Sequence, residues 1–436
     1  VRRLTVHIIV WALLLACIAM AGYVIIWPGT SVLGIDVGGL TARAAEMLLA
    51  GRLSWESREI TFIGNDTEAT LFFGADLGVT PDLKETVRAC MRPLWRAFAD
   101  RQKPLCLKVD REKLSASIAR LASFFEVSVR DAEFHIDSSD RVVVIPHVVG
   151  KSLNASSLEA LFTAGHWYSV PDTVSLEFHD VEPRVRTEEL EAFLPLEIIS
   201  SYTTYYAASK ADRAHNISLA ASTMAELVVW PGETFSFNAT VGPRTPERGY
   251  RKAPVIVGER LEDDYGGGVC QVSTTVYVAM LQAGLTVTER YCHGLPVDYV
   301  PLGLDATVAW DYLDLKMTNP GPYPCIVRAR TSHGALTVDV FGKRIPGLKI
   351  EVESRVIKEI PAEPPTQPAP GLGSGPGADP SQGPLSPGPG GDAGEPKASG
   401  LRPGYLVETV RRYIRNGVLE KAERLNTSSY PPERPR

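Results

Sequence analysis

The sequence of 436 residues is long enough for two or three domains, and 44% hydrophobic with 22% charged residues is an ordinary globular balance. A formal net charge of −6 offers no basic face for nucleic acid. None of the six cysteines forms a CxxC pair, which removes zinc-ribbon and thioredoxin-like readings.

Arg2 and Arg3 precede an apolar run from Leu4 to Trp27, interrupted only by His7. A run of about 20 such residues suffices to span a bilayer, and positive charge before it alone places the N-terminus inside. The expectation is a single uncleaved membrane helix with the bulk of the chain extracytoplasmic. Ala19-Met20-Ala21 as a signal-peptidase site and Leu14-Leu15-Ala16-Cys17 as a lipoprotein site are rivals. The apolar residues continue past both, and all three readings put the chain on the same side of the membrane.

Residues 31–50 read as a short strand leading into a helix, with Thr41 as N-cap and Ala45, Leu48 and Leu49 on one face. Ile60–Ile63 and Thr70–Phe73 read as paired strands around Gly64-Asn65-Asp66. A helix is expected from Pro81, a strand from Arg141, and a loop entering a helix from Ser152. Further on, Ala211–Val229 has helical spacing, with Ile217, Ala220, Ala221, Met224 and Leu227 inward. Val269–Leu285 is a second helix, followed by strand-like runs at Thr286–Cys292, Ala306–Thr318, Cys325–Thr331 and Leu336–Phe341. Residues 360–400 are a Pro/Gly/Ser linker without the apolar content to fold. The tail reads as a β-hairpin turning at Asn416-Gly417, and a lone hairpin needs something to dock on. The fold class expected is α+β: one transmembrane helix, two mixed α+β extracytoplasmic domains, a disordered linker and a C-terminal β-hairpin.

Gly266-Gly267-Gly268-Val269-Cys270-Gln271-Val272-Ser273 opens the second helix. Unpaired N–H groups and positive potential at a helix N-terminus lower a cysteine's pKa and can hold an oxyanion. His293 and Asp305 follow on successive strand-like runs. Cys, His, Asp in that order is the order of transglutaminase-like thiol enzymes, with nucleophile, base and orienting carboxylate as the roles. Gly267, Gly268, Gln271 and Ser273 are candidates for substrate or oxyanion contacts.

Other readings stand beside this one. Cys270 could be a small buried residue, or be joined to Cys292 or Cys325 in a disulfide. Cys270, Cys292, His293 and Cys325 could bind zinc, though their spacing fits no usual pattern. Asp298 is a rival for the place of Asp305. Trp230, Tyr265 and Tyr299 could stack on sugars, but aromatics there more often pack. Glu233 more often caps a turn than serves as an acid. His135, His147, His166 and His179 read as non-functional, and Glu188, Glu189 and Glu191 as a solvated helix face.

Residues 202–343 resemble the VanW family. The likeness is carried by Asn216-Ile-Ser-Leu-Ala-Ala, Pro231-Gly-Glu-Thr-Phe-Ser-Phe-Asn, Val241-Gly-Pro-Arg-Thr-Pro-Glu-Arg-Gly-Tyr, Ala253-Pro-Val-Ile, the Gly266–Thr275 run and Leu295–Val308. Phe73–Thr80 and Val149-Gly-Lys-Ser-Leu resemble the peptidoglycan-binding domain that often precedes it. The resemblance implies a cell-wall context and a loose link to glycopeptide resistance. The organisation expected is an anchor over 1–27, a juxtamembrane strand and helix over 28–57, a peptidoglycan-binding domain over 58–190, a VanW domain over 200–345, the linker over 360–400 and the hairpin over 402–436. The partners expected are wall polymer and the membrane, with no nucleic acid and no cofactor. Two functions follow: thiol acyl transfer or peptidase chemistry on peptidoglycan peptides, or a non-catalytic wall-binding scaffold in which Cys270 is structural.

Overall fold

Local chemistry accounts for the element boundaries in this computed structural model, which describes residues 7–13, 25–55, 57–91, 101–163, 172–257, 260–362 and 401–433. Asn65 and Asp66 both adopt positive φ (48° and 59°), the geometry that turns Glu59–Gly64 back onto Thr67–Phe72. Asn416 and Gly417 (φ 49° and 83°) do the same between Gly404–Arg415 and Val418–Tyr430. Thr41 and Asp82 cap their helices by accepting the N–H of Ala44 and Glu85.

The chain divides into two units, residues 1–132 with 146–186 and residues 133–145 with 187–436. Unit 1 gathers Ile60, Phe62, Phe73, Leu105, Leu114, Leu121 and Phe162 into one apolar core. Its Glu59–Gly64 strand pairs antiparallel with Thr67–Phe72 and parallel with Thr173–Ser175.

The expected transmembrane helix and single-pass membrane location are corrected here. No helix among the described residues is long and apolar enough to cross a membrane. Residues 7–13 are helical, a length of roughly 10 Å against a hydrocarbon core of about 30 Å, and residues 14–24 lie outside the described residues. The end of the apolar run belongs to unit 1: Ile26 is fully buried in its core, and Ile25 bridges to Thr41. Hydrophobicity there serves globular packing.

Unit 2 is built on a four-stranded antiparallel sheet in the order Glu197–Tyr205, Ala335–Gly342, Cys325–Ser332, Leu227–Val229. The helix Val269–Gln282 packs on the first two strands and on the helix Ala211–Ser222, and is buried along nearly its whole length. Ser200 and Thr204 tie the sheet to this helix through the Ala279 carbonyl (2.7 Å) and the Thr275 hydroxyl (2.9 Å). The hairpin Glu133–Ile136/Val142–Ile145 joins this unit through Glu226, which accepts from the Ile136 N–H, and through the Asp140–Arg328 ion pair at 2.8 Å.

The helix expected over Ala211–Val229 stops at Ser222. Ser222 and Thr223 bond back to the Leu219 and Ala220 carbonyls, and the β-branched run that follows pairs with Cys325–Val327 as a strand. The run Ala306–Thr318 is strand only over Lys316–Thr318. The tail hairpin does not stand alone: Gly404–Arg415 pairs along its whole length with Leu348–Ile360. Residues 363–400 of the expected linker lie outside the described residues.

Candidate functional site

Cys270 is the second residue of the helix Val269–Gln282, behind Gly268 at the N-cap with φ 105°. Gly267 is buried, and a Cβ on it would run into the Ala253 carbonyl. Glycine is needed here because the hairpin strand Lys252–Val257 passes against the loop. The loop is held by Asn216, fully buried, whose amide donates to the carbonyls of Arg251 (2.8 Å) and Gly267 (3.0 Å) and accepts from the Arg251 N–H. Asn216 was not among the sequence candidates. Its sequence signals were its place at the head of the first stretch of the family likeness and its being a polar residue on the inward face of an apolar helix.

His293 and Asp305 are buried together, 3% and 1% exposed. Asp305 Oδ2 lies 2.7 Å from both the backbone nitrogen and Nδ1 of His293. An ionised carboxylate only accepts, so Nδ1 carries a proton and Nε2 is left for the sulfur. His293 acts on the Cys270 thiol electrostatically: each shifts the other's pKa. The Cys270 Sγ, half-buried, also lies 3.5 Å from the Val308 carbonyl oxygen and 3.6 Å from the Thr307 hydroxyl.

The electrostatics follow from these contacts. Burial pushes the Cys270 thiol up, but the hydrogen bond and charge of His293 outweigh it and bring the thiol down to about 7. Burial pushes the His293 imidazole down, and its bonds to Asp305 and Cys270 more than reverse this, raising it to about 9. Burial likewise disfavours the Asp305 charge, yet His293 and Arg290 hold its carboxyl below the usual range. The two shifts run in the directions that favour a thiolate beside an imidazolium: the thiol falls below its ordinary value and the imidazole rises above its own.

The carboxylate has its own supports. Arg290, 5% exposed, donates from Nη2 to Asp305 Oδ1 (3.0 Å) and from Nε to the Asp305 carbonyl (2.7 Å). The Tyr430 hydroxyl donates to the same Oδ1 and accepts from the Gly303 N–H at 2.8 Å. Ser428 and Asn426, on the same strand as Tyr430, accept from Arg290. The tail hairpin thus docks directly behind Asp305. Nothing in the sequence ties Tyr430 to Asp305 across such a separation.

The remaining candidates have structural partners. Gln271 points to the sheet, donating to Thr204 and Tyr205 and accepting from Arg213 at 2.8 Å. Ser273 donates to the Ala306 carbonyl at 2.6 Å, and Thr274 bonds both polar groups of the Ala306 backbone, which fixes the segment behind Asp305. The amides of Val269 and Gln271 are committed to the carbonyls of Gly266 and Gly268. Cys270, Cys292 and Cys325 are free thiols; Cys325 is buried in its strand, where burial pushes it to about 11. Among the described residues no group of three or more His, Cys, Asp or Glu is arranged to hold a metal ion. Asp298 is exposed, away from the role of Asp305. Trp230 packs with Phe134 and Phe193, Glu233 accepts from the Trp230 N–H, and Lys252 sits over the Tyr265 ring. His135 pairs with Glu226, and His166 lies outside the described residues. A cavity of about 780 Å³ opens at the opposite end of the helix, lined by Gln282, Leu285, Tyr323, Lys343 and Tyr413, and does not include Cys270.

An α+β protein that sets a thiol, an imidazole and a buried carboxylate in line is the class these observations define. Residues 212–341 match the family described as VanW like protein, and residues 85–164 match the family described as "Putative peptidoglycan binding domain". The chain belongs to the VanW family. It is 35% identical over 259 residues to the "Uncharacterized protein YoaR" of Bacillus subtilis, covering 58% of this chain and 84% of that protein. It is 32% identical over 113 residues to the "Vancomycin B-type resistance protein VanW" of Enterococcus faecalis, covering 25% of this chain and 41% of that one. No solved structure matches the chain. The two family matches support a wall-polymer partner and a cell-wall-associated function.

Proposed function

We propose that this protein is a thiol acyl-transfer or peptidase enzyme acting on the peptides of the wall polymer, with unit 1 binding that polymer. The observation that carries the reading is the buried His293–Asp305 pair, whose imidazole brings the Cys270 thiol down to about 7. Cys270 is the nucleophile, His293 the acid and base, and Asp305 the group that fixes the ring. The thiolate attacks an amide carbonyl carbon, forming the C–S bond and an oxyanion. The helix N-terminus supplies positive potential for that charge. When the C–N bond breaks, the amine leaves with the proton from the His293 imidazolium, and a thioester remains on Cys270. Water or a second amine, deprotonated by His293, then takes the acyl group and restores the thiolate.

Intact-protein mass spectrometry after incubation with wall peptides tests this. The expected result is a thioester adduct on Cys270, absent from Cys270→Ala, with released amine-side product. A folded wild-type protein that neither gains an adduct nor releases product overturns it, and a non-catalytic wall-binding module then accounts for sacculus binding that survives Cys270→Ser.

A further inference from the structure

Arg244 lies beside the proposed nucleophile with its charge unmatched. Both terminal guanidinium nitrogens, Nη1 and Nη2, are buried without a hydrogen-bond partner. The guanidinium carbon sits 5.6 Å from the Phe237 ring and 5.9 Å from the Trp310 ring. Its stem is wedged against the glycine loop, since a Cβ on Gly266 would fall 2.8 Å from the Arg244 Cβ. The flanking groups are those that border Cys270. Gly266 is in the loop that leads into its helix, and Trp310 stands two residues beyond Val308, whose carbonyl faces the sulfur. Charge on Cys270 reaches the guanidinium.

A nearby carboxylate, Asp314, does not pair with Arg244. It is taken up by the Ser236 hydroxyl (2.6 Å) and by the N–H groups of Asn238 (2.9 Å) and Leu315 (2.8 Å). Burying a cation with unmet donors is costly, and the cost is recovered when a planar anion takes both nitrogens at once. Ring stacking holds a guanidinium face without using its N–H edge. The edge of Arg244 is therefore set up for a carboxylate, with Trp310, 45% exposed, as the cover a ligand displaces.

We infer that Arg244 binds the free C-terminal carboxylate of the acyl-donor peptide and so selects peptide ends over internal bonds. This rests on the reading of Cys270 as nucleophile and adds the substrate class. The terminal residue then leaves as the amine-side product.

The test is protection of Cys270 from iodoacetamide by N-acetyl-dialanine, in its L,L and D,D forms, against the corresponding C-terminal amides. In the wild-type protein one free acid is expected to protect at about tenfold lower concentration than its amide. Arg244→Gln is expected to abolish that difference, the acid-to-amide ratio being taken within each variant so that a changed alkylation rate of the free protein cancels. Arg244→Lys, which keeps the charge but not the fork, serves where the glutamine variant melts early, and is expected to retain only part of the preference. Equal protection by acid and amide, or a preference that survives both substitutions, overturns the inference without touching the nucleophile. A Cys270 inert to iodoacetamide before any peptide is added is instead the failure of the proposed function.

Discussion

Replacing His293 by glutamine removes the group that lowers the Cys270 thiol most, and the size of the effect can be worked out. With the thiol at about 7, about half of it is thiolate at pH 7. Without the imidazolium the burial penalty is opposed by the contacts with Val308 and Thr307, and a thiol back at its ordinary 9 is about 1% thiolate. That is roughly a 50-fold loss of nucleophile. A more basic thiolate is also intrinsically more reactive, by about 8-fold over two units at a Brønsted slope of 0.4–0.5. The alkylation rate at pH 7 should therefore fall only about sixfold, while the midpoint of the rate–pH profile moves up by about two units or more. The assay is iodoacetamide modification of Cys270 followed by peptide mass spectrometry from pH 5 to 10. Melting curves check that the buried substitution leaves the fold intact. A wild-type midpoint at the ordinary 8.5 or above, or a variant midpoint that does not move, refutes the thiolate–imidazolium pair.

The other predictions concern what holds the site together. The folded-state pKa of Asp305 is depressed, so its contribution to stability is present above the ordinary carboxylate range and is lost as pH falls through its folded value. Melting temperature should fall on acidification below about pH 4 more steeply in the wild type than in Asp305→Asn, and parallel slopes would contradict this. Arg411, 4% exposed, donates to the carbonyls of Leu281 (3.3 Å) and Leu285 (2.6 Å) at the C-terminal end of the cysteine-bearing helix, and also to Glu423. Arg411→Met should cost about 2–4 kcal/mol in urea unfolding, and a loss under about 0.5 kcal/mol would show that the hairpin does not brace the helix. Gly267→Ala forces a methyl into the Ala253 backbone and should cost about 1–3 kcal/mol by the same measurement; a neutral result would mean the loop yields freely.

The proposed nucleophile was legible because its environment is local: three glycines, then a cysteine one residue inside a helix, with no long-range contact needed to suggest acidity. The proposed partners His293 and Asp305 stood out through chain order, and of the two carboxylates Asp305 is the one buried against His293. Tyr430, Ser428 and Arg290 were not legible as a group, because tertiary docking alone brings the tail strand to Asp305. Arg244 was visible as a residue of the family motif, but its lack of an acceptor is a property of packing that no periodicity encodes. Gln271 and Ser273 were expected to face the thiol. Helix geometry turns Gln271 toward the sheet and Ser273 toward Ala306, where each meets a buried polar partner. The end of the N-terminal run shows the same limit: apolar character alone did not foretell that Ile25 bridges to Thr41 and that Ile26 is buried in a globular core.

The hydroxyl behind Asp305 comes from a strand that leaves the ribosome well after Cys270, His293 and Asp305 themselves. Until that strand docks, the carboxylate and Arg290 lack the neighbours that seat them. A chain that stops short of residue 430 would hold Cys270, His293 and Asp305 without the hydroxyl that seats the carboxylate.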